Sequence, residues 1–143
     1  MVISDGSSLT CAQAHQLLKR WDCLTGHQPS MAERDDLRSA VRTVAHHSDY
    51  QILGICAESL SLGVQALLAY AAALGYSPSP AHLPELDGPV YLKFNPKSGL
   101  LYGDRYVGPH RGVLVSCQSA YADGLNEMYG HLPLDLFAQE DRS

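Results

Sequence analysis

An α+β fold, with a small antiparallel sheet packed with about four helices, is the class the chain predicts, and three observations lead to it. Residues 90–119 hold three alternating or apolar runs separated by two turn signals, Asn95-Pro96-Lys97-Ser98-Gly99 and a glycine-rich bend, which is the pattern of an antiparallel meander. These strands arrive in a block, without helices between them, as α+β sheets do. Upstream, apolar residues recur at helical spacing, and one apolar run has the length of a single strand. The expected order is α-α-β-α-β-β-β-α, a meander plus one further strand.

Each element has its own signal. A first helix is expected from Ser8 or Thr10 to Leu24, because Cys11, Ala14, Leu18 and Trp21 share a face that Leu17 and Leu24 broaden. Gly26 supplies its stop. Ser30-Met31-Ala32-Glu33 fits a capping box, with Pro29 just ahead. The helix it opens carries Leu37, Val41, Val44 and Ala45 on one face and Arg34, Arg38 and Arg42 on another, read as solvated. Tyr50 to Ala57 is apolar on both alternating sides, the mark of a strand covered on both faces, and Gly54 within it signals a bulge or a close neighbour. Leu60 to Leu74 is the most apolar segment. It is shorter than the roughly 20 residues a membrane span needs, so it reads as a central helix buried on most sides and ended by Gly75. Four prolines between Ser77 and Pro89 argue for an extended surface linker. After the meander, Ser119 is placed to cap a short helix on which Tyr121, Leu125 and Met128 share a face, ended by Gly130. The tail from His131 to Phe137 is apolar at alternate positions.

Composition narrows the function classes. With 143 residues, 45% hydrophobic and 17% charged, the chain fits one globular domain, 1–143, with 1–8 and 138–143 frayed. The net charge is −5, with ten Lys and Arg spread along the chain. Nucleic-acid binding needs a basic footprint, so neither nucleic acid nor a membrane surface is expected as a partner. The four cysteines form no Cys-x-x-Cys pair, and the first residues have no basic start or long apolar segment. Reduced thiols and a cytoplasmic location follow as expectations.

The search for chemistry returns little. Seven histidines include the neighbours His46 and His47, which point about 100° apart on a helix and cannot ligate one ion from one face. No metal site and no cofactor are assigned. Cys117 falls in phase with Val113 and Val115, on the core side of its strand, where thiols are inert. Ser116 and Gln118 take the other side. No nucleophile elbow, phosphate loop or dinucleotide fingerprint is present, so no catalytic residue is named. The best ligand candidate is the loop 103–112, where three glycines free the backbone and Arg105, His110 and Arg111 offer donors to an anion. The best interface candidate is the tail, through Leu132, Leu134, Leu136 and Phe137, with the proline-rich segment as a second.

Three stretches carry a resemblance. Val90-Tyr91-Leu92-Lys93-Phe94-Asn95, Arg111-Gly112-Val113-Leu114-Val115-Ser116-Cys117-Gln118-Ser119 and Asp123-Gly124-Leu125-Asn126-Glu127-Met128-Tyr129-Gly130 resemble an uncharacterised family of small cyanobacterial proteins that carries a domain-of-unknown-function label. The resemblance implies a cyanobacterial cytosol and an α+β domain, and brings no activity, cofactor or catalytic residue. The sequence therefore favours a non-catalytic interaction or regulatory protein with an unknown protein partner. A small-molecule or anion-binding domain using the loop 103–112, which includes the possibility of an enzyme, stays as the alternative.

Overall fold

The computed structural model describes residues 9–47, 50–83, 88–96, 98–106, 111–118, 126–127 and 129–138. Thr10 opens α1 (Cys11–Arg20) with a capping box: its hydroxyl accepts the Gln13 N–H at 3.1 Å and the Gln13 side chain accepts the Thr10 N–H at 2.9 Å. The helix stops at Arg20, four residues short of the expected end. Trp21 turns extended, and the Asp22 carboxylate accepts the Leu24 N–H at 3.0 Å, starting a 3-10 turn over Cys23–Thr25. An aspartate that binds its own neighbouring backbone competes with the helical ladder. Gly26, at φ 88°, closes that turn and not the helix.

The capping box of α2 (Met31–His47) is present as expected, Glu33 N–H to Ser30 hydroxyl at 3.2 Å and Ser30 N–H to Glu33 carboxylate at 2.9 Å. Its arginines correct the sequence reading. Arg34 and Arg38 are buried, not solvated. They stand at i and i+4 beside Leu37 and Val41, on the inward stripe, because their guanidinium groups bind the tail described below.

Six strands form one sheet in the order β2-β4-β3-β1-β5-β6: β1 (Tyr50–Ala57), β2 (Ser79–His82), β3 (Val90–Asn95), β4 (Leu100–Arg105), β5 (Gly112–Gln118) and β6 (Asn126–Glu127). The class is as expected, α+β with an antiparallel sheet at its centre. The meander is not continuous. β3 and β4 form a hairpin, but β5 leaves β4 and pairs with β1, so β1 lies between β3 and β5. The proline-rich segment is more than a linker, since β2 pairs in parallel with β4 at the sheet's edge, where a proline costs no ladder bond. The helix expected from Ser119 falls on residues 119–125 and 128, outside the described residues, and Asn126–Glu127 within it are strand. Three α-helices are thus described where about four were expected. Of the segments expected to fray, 1–8 and 138–143, all but Ala138 lie outside the described residues, and the Ala138 N–H donates to the Asp135 carbonyl at 3.1 Å.

The helix α3 (Leu60–Ala73) is capped by Ser59 and packs on one face of the sheet. Gly63 allows the approach: a Cβ there would meet Leu92, Ala57 and Val90 side chains, the first at 2.9 Å. Leu53, Ile55 and Ala57 share that face in register with Phe94, Leu92 and Val90, and all are buried. Leu62 and Leu68 stay exposed on the far side of α3, so the helix is buried on one face and not on most. On the opposite face of the sheet stand Gly54 and Cys56, with Lys93, Tyr102 and Asp104 exposed. The Tyr91 ring lies across Gly54, where a Cβ would come within 2.7 Å of its hydroxyl, the close neighbour that the glycine signalled. Side chains from α1, α2, α3, the inner face of the sheet and the tail join in one apolar cluster.

Candidate functional site

The two sequence-predicted sites fare differently. In the loop 103–112, Arg105 ends β4 and is exposed, while Arg111 pairs with Glu58 at 3.3 Å, both side chains more than half exposed. Such a pair contributes about 0–1 kcal/mol. His110 lies outside the described residues. Tyr106 turns toward Tyr91, with ring centroids 6.4 Å apart.

The tail is core. Leu132, Leu136 and Phe137 are buried and Leu134 packs beside them, which corrects their assignment as an interface. The reason is a set of polar ties that fasten residues 129–137 across the helices. Arg34 donates to the Asp135 carbonyl at 2.8 Å and to its carboxylate at 3.0 Å, and Arg38 donates to the Leu136 carbonyl at 2.8 Å. The Tyr70 hydroxyl donates to the Pro133 carbonyl at 2.7 Å, and Arg42 lies over the Phe137 ring. Toward α1, His15 meets the Tyr129 hydroxyl, the Cys23 N–H donates to the His131 carbonyl at 2.9 Å, and His131 Nδ1 lies 2.9 Å from the Asp22 carboxylate.

Two thiols are shifted upward. Burial, then the charges of Asp22 and Asp135, push the Cys23 thiol up. A thiol among carboxylates stays protonated and is a poor nucleophile. Burial likewise raises Cys56, partly offset by a hydrogen bond from Tyr106. The side chains of Ser116, Cys117 and Gln118 are outside the described residues. Among the described residues, no group of three His, Cys, Asp or Glu side chains could hold a metal ion, and no helix is long and apolar enough to cross a membrane.

One groove, of about 450 Å³, lies between α1, the 3-10 turn and the first turns of α2. Its apolar lining is Leu17, Trp21 and Leu37, and its polar lining includes Arg20 and His27 with the carboxylates of Asp22, Glu33 and Asp36. The early end of α1 builds it. With Trp21 extended, the indole leaves the helical stripe and stands edge-on to the His27 ring, centroids 4.9 Å apart. Its N–H is buried with no acceptor among the described residues. Glu33 is held by the cap of α2, which depresses its carboxyl chiefly through the Ser30 N–H, and Asp36 is one turn further on the same rim. Leu24 on the 3-10 turn and Met31 on the first turn of α2 are exposed apolar side chains, 42% and 65%, that do not line the groove. Sequence reasoning missed this site because it placed Trp21 in the core stripe of a longer helix. The signal that was present is Asp22, a residue that favours helix ends over interiors.

A crystal structure of an uncharacterised protein from Anabaena variabilis ATCC 29413 is similar to this chain, with 51% identity and a TM-score of 0.75, over 90% of this chain and 99% of that one. No curated protein matches. The sequence pattern of the domain of unknown function DUF1824 matches residues 16–137, a span that contains the groove, the sheet and the tail. The chain belongs to the DUF1824 family, as its resemblance implied.

Proposed function

We propose that this protein works without turnover, by binding another protein in the cyanobacterial cytosol, and that the groove between α1 and α2 is where the partner docks. The observation that carries the reading is the groove itself: an open concavity with an apolar floor of Leu17, Trp21 and Leu37 and a charged rim. Interfaces concentrate their energy in apolar and aromatic anchors of this kind, with Trp prominent among them. The side chains that have chemical potential nearby are committed elsewhere, Arg34, Arg38 and Tyr70 to the tail and Cys23 to a protonated state. No cofactor is part of the proposal.

A photo-crosslinking residue at Thr25, an exposed position in the groove's lining, introduced in cells, tests it. A protein captured from Thr25 and not from Tyr102 on the sheet should bind the purified chain, and Trp21→Ala should weaken that binding by about tenfold or more, as for an aromatic hot spot. Capture from Tyr102 alone, or binding indifferent to Trp21, would move the site off the groove.

The anion-binding alternative keeps one supporting feature, the exposed Arg105 guanidinium, which has no ion-pair partner among the described residues. If the loop 103–112 binds phosphate, sulfate or a sugar phosphate, the ligand raises the melting temperature, and the Arg105→Ala, Arg111→Ala double variant abolishes that shift. A shift that survives the double variant removes this reading.

A further inference from the structure

The groove's charge says which kind of segment fits it. We infer that its occupant is a cationic amphipathic segment of a partner protein, with an apolar side chain seated on Leu17, Trp21 and Leu37 and flanking Lys or Arg on the carboxylate rim. This inference rests on the groove being the docking site. The lining carries three carboxylates, Asp22, Glu33 and Asp36, against one guanidinium, Arg20. Two of the carboxylates are partly engaged, Asp22 by the Leu24 N–H and His131, and Glu33 by the Ser30 N–H. Each of those contacts uses one carboxylate oxygen and leaves the second to accept. Asp36 is exposed, with neither a hydrogen bond nor an ion pair among the described residues.

A negative rim around an apolar floor selects by sign. It steers a cationic segment inward and repels an acidic one, and like-charge juxtaposition is the stronger discriminator. The indole adds to the preference, since a guanidinium or ammonium over the face of Trp is attracted by the ring. The volume, about 450 Å³, takes several side chains and not a whole helix, so the backbone of the segment rides on the rim. The −5 net charge of the chain acts in the same direction at longer range.

The probe is a random-peptide display library of about 15-residue segments, long enough for four helical turns, selected on the intact purified protein. Selected peptides are then read individually by the fluorescence of Trp21, which is the chain's single tryptophan. Enriched peptides should carry net positive charge with apolar residues at i, i+3 and i+4, and should shift the Trp21 emission. Their affinity should fall as salt rises, and should drop by about tenfold in Asp36→Lys with Glu33→Gln, since reversing one exposed charge and removing another exceeds the effect of a single exposed pair. The Gln at 33 retains the capping contact, and thermal melting of the double variant checks that the fold is intact. Neutral or acidic peptides that still shift Trp21 would overturn the inferred charge and leave the groove as the docking site. Peptides that enrich without moving Trp21 emission would place binding elsewhere and overturn both. A selection that enriches nothing overturns the inference, and the crosslink from Thr25 then decides separately whether the groove takes a folded surface.

Discussion

Leu67 faces the sheet from α3 with no exposed surface, so its truncation measures the core most directly. Leu67→Ala is expected to cost about 2–5 kcal/mol in denaturant unfolding, through lost transfer energy and the cavity left behind. A loss under roughly 1 kcal/mol would show that α3 is peripheral. Tyr70, one turn along, combines burial with a hydrogen bond to the Pro133 carbonyl. Burial raises its phenol well above the ordinary value, Cys23 and Asp135 add to the rise, and Arg34 and Arg38 oppose it. The folded chain then holds a proton that the unfolded chain releases. That contribution is complete below the phenol's unfolded pKa of about 10 and is lost as pH climbs through the folded value. The Cys23 and Cys56 thiols, raised by burial first, act in the same direction. At neutral pH Tyr70→Phe should cost about 1–3 kcal/mol, because it orphans a buried carbonyl. Urea midpoints of the two proteins should converge in strong alkali, and parallel curves across that range would refute the assignment to Tyr70.

At the scale of elements, the tail is the member whose role changed most between sequence and structure. Chain termination after Gly130 removes Leu132, Leu136 and Phe137 from the apolar cluster and takes from Arg34 and Arg38 the tail acceptors that hold them. Losing large core side chains at about 2–5 kcal/mol each consumes most of a domain stability of about 5–15 kcal/mol, so the truncated chain is expected to lose its cooperative unfolding transition. A truncated chain that melts like the full one would return the tail to the status of an interface. The alternating apolar residues of the tail were legible, but alternation shows only that a surface is to be covered, not whether the chain covers it itself. The α2 start was legible to the residue, because Ser30 and Glu33 settle it locally. β2 was not, since Pro80 discourages a strand and the edge position that tolerates it is a property of the finished sheet. The arginine face of α2 was misread for a related reason: at i and i+4, Arg34 and Arg38 lie beside Leu37 and Val41, and the tail's carbonyls, with the carboxylates of Asp135 and Asp35, make burial there tolerable. The groove needed two helices and a broken ladder at Trp21 to exist, so no single segment could announce it.

Taken whole, the molecule draws one apolar cluster from both ends of its sequence, Ala14 and Leu18 with Leu136 and Phe137. Trp21 fluorescence, reporting on the groove, and far-ultraviolet dichroism, reporting on helices and sheet, should therefore give coincident denaturant transitions. Separated midpoints would mean that the α1–α2 layer unfolds apart from the sheet. The strand order has a further effect on how the chain is made. β1 leaves the ribosome early and finds neither neighbour: β3 follows only after α3, and β5 later still. Such non-local pairing puts folding nearer the slow end of the millisecond-to-second range, at roughly the timescale of mixed and all-β domains. The segment whose carbonyls receive Arg34 and Arg38 comes after every strand. A chain elongated only as far as β6 thus presents helices still lacking the Leu132, Leu136 and Phe137 side chains that complete their apolar cluster. Protease resistance is expected to arise only once residues 129–137 have joined the fold, which makes shorter nascent chains of this protein natural clients for a ribosome-bound chaperone.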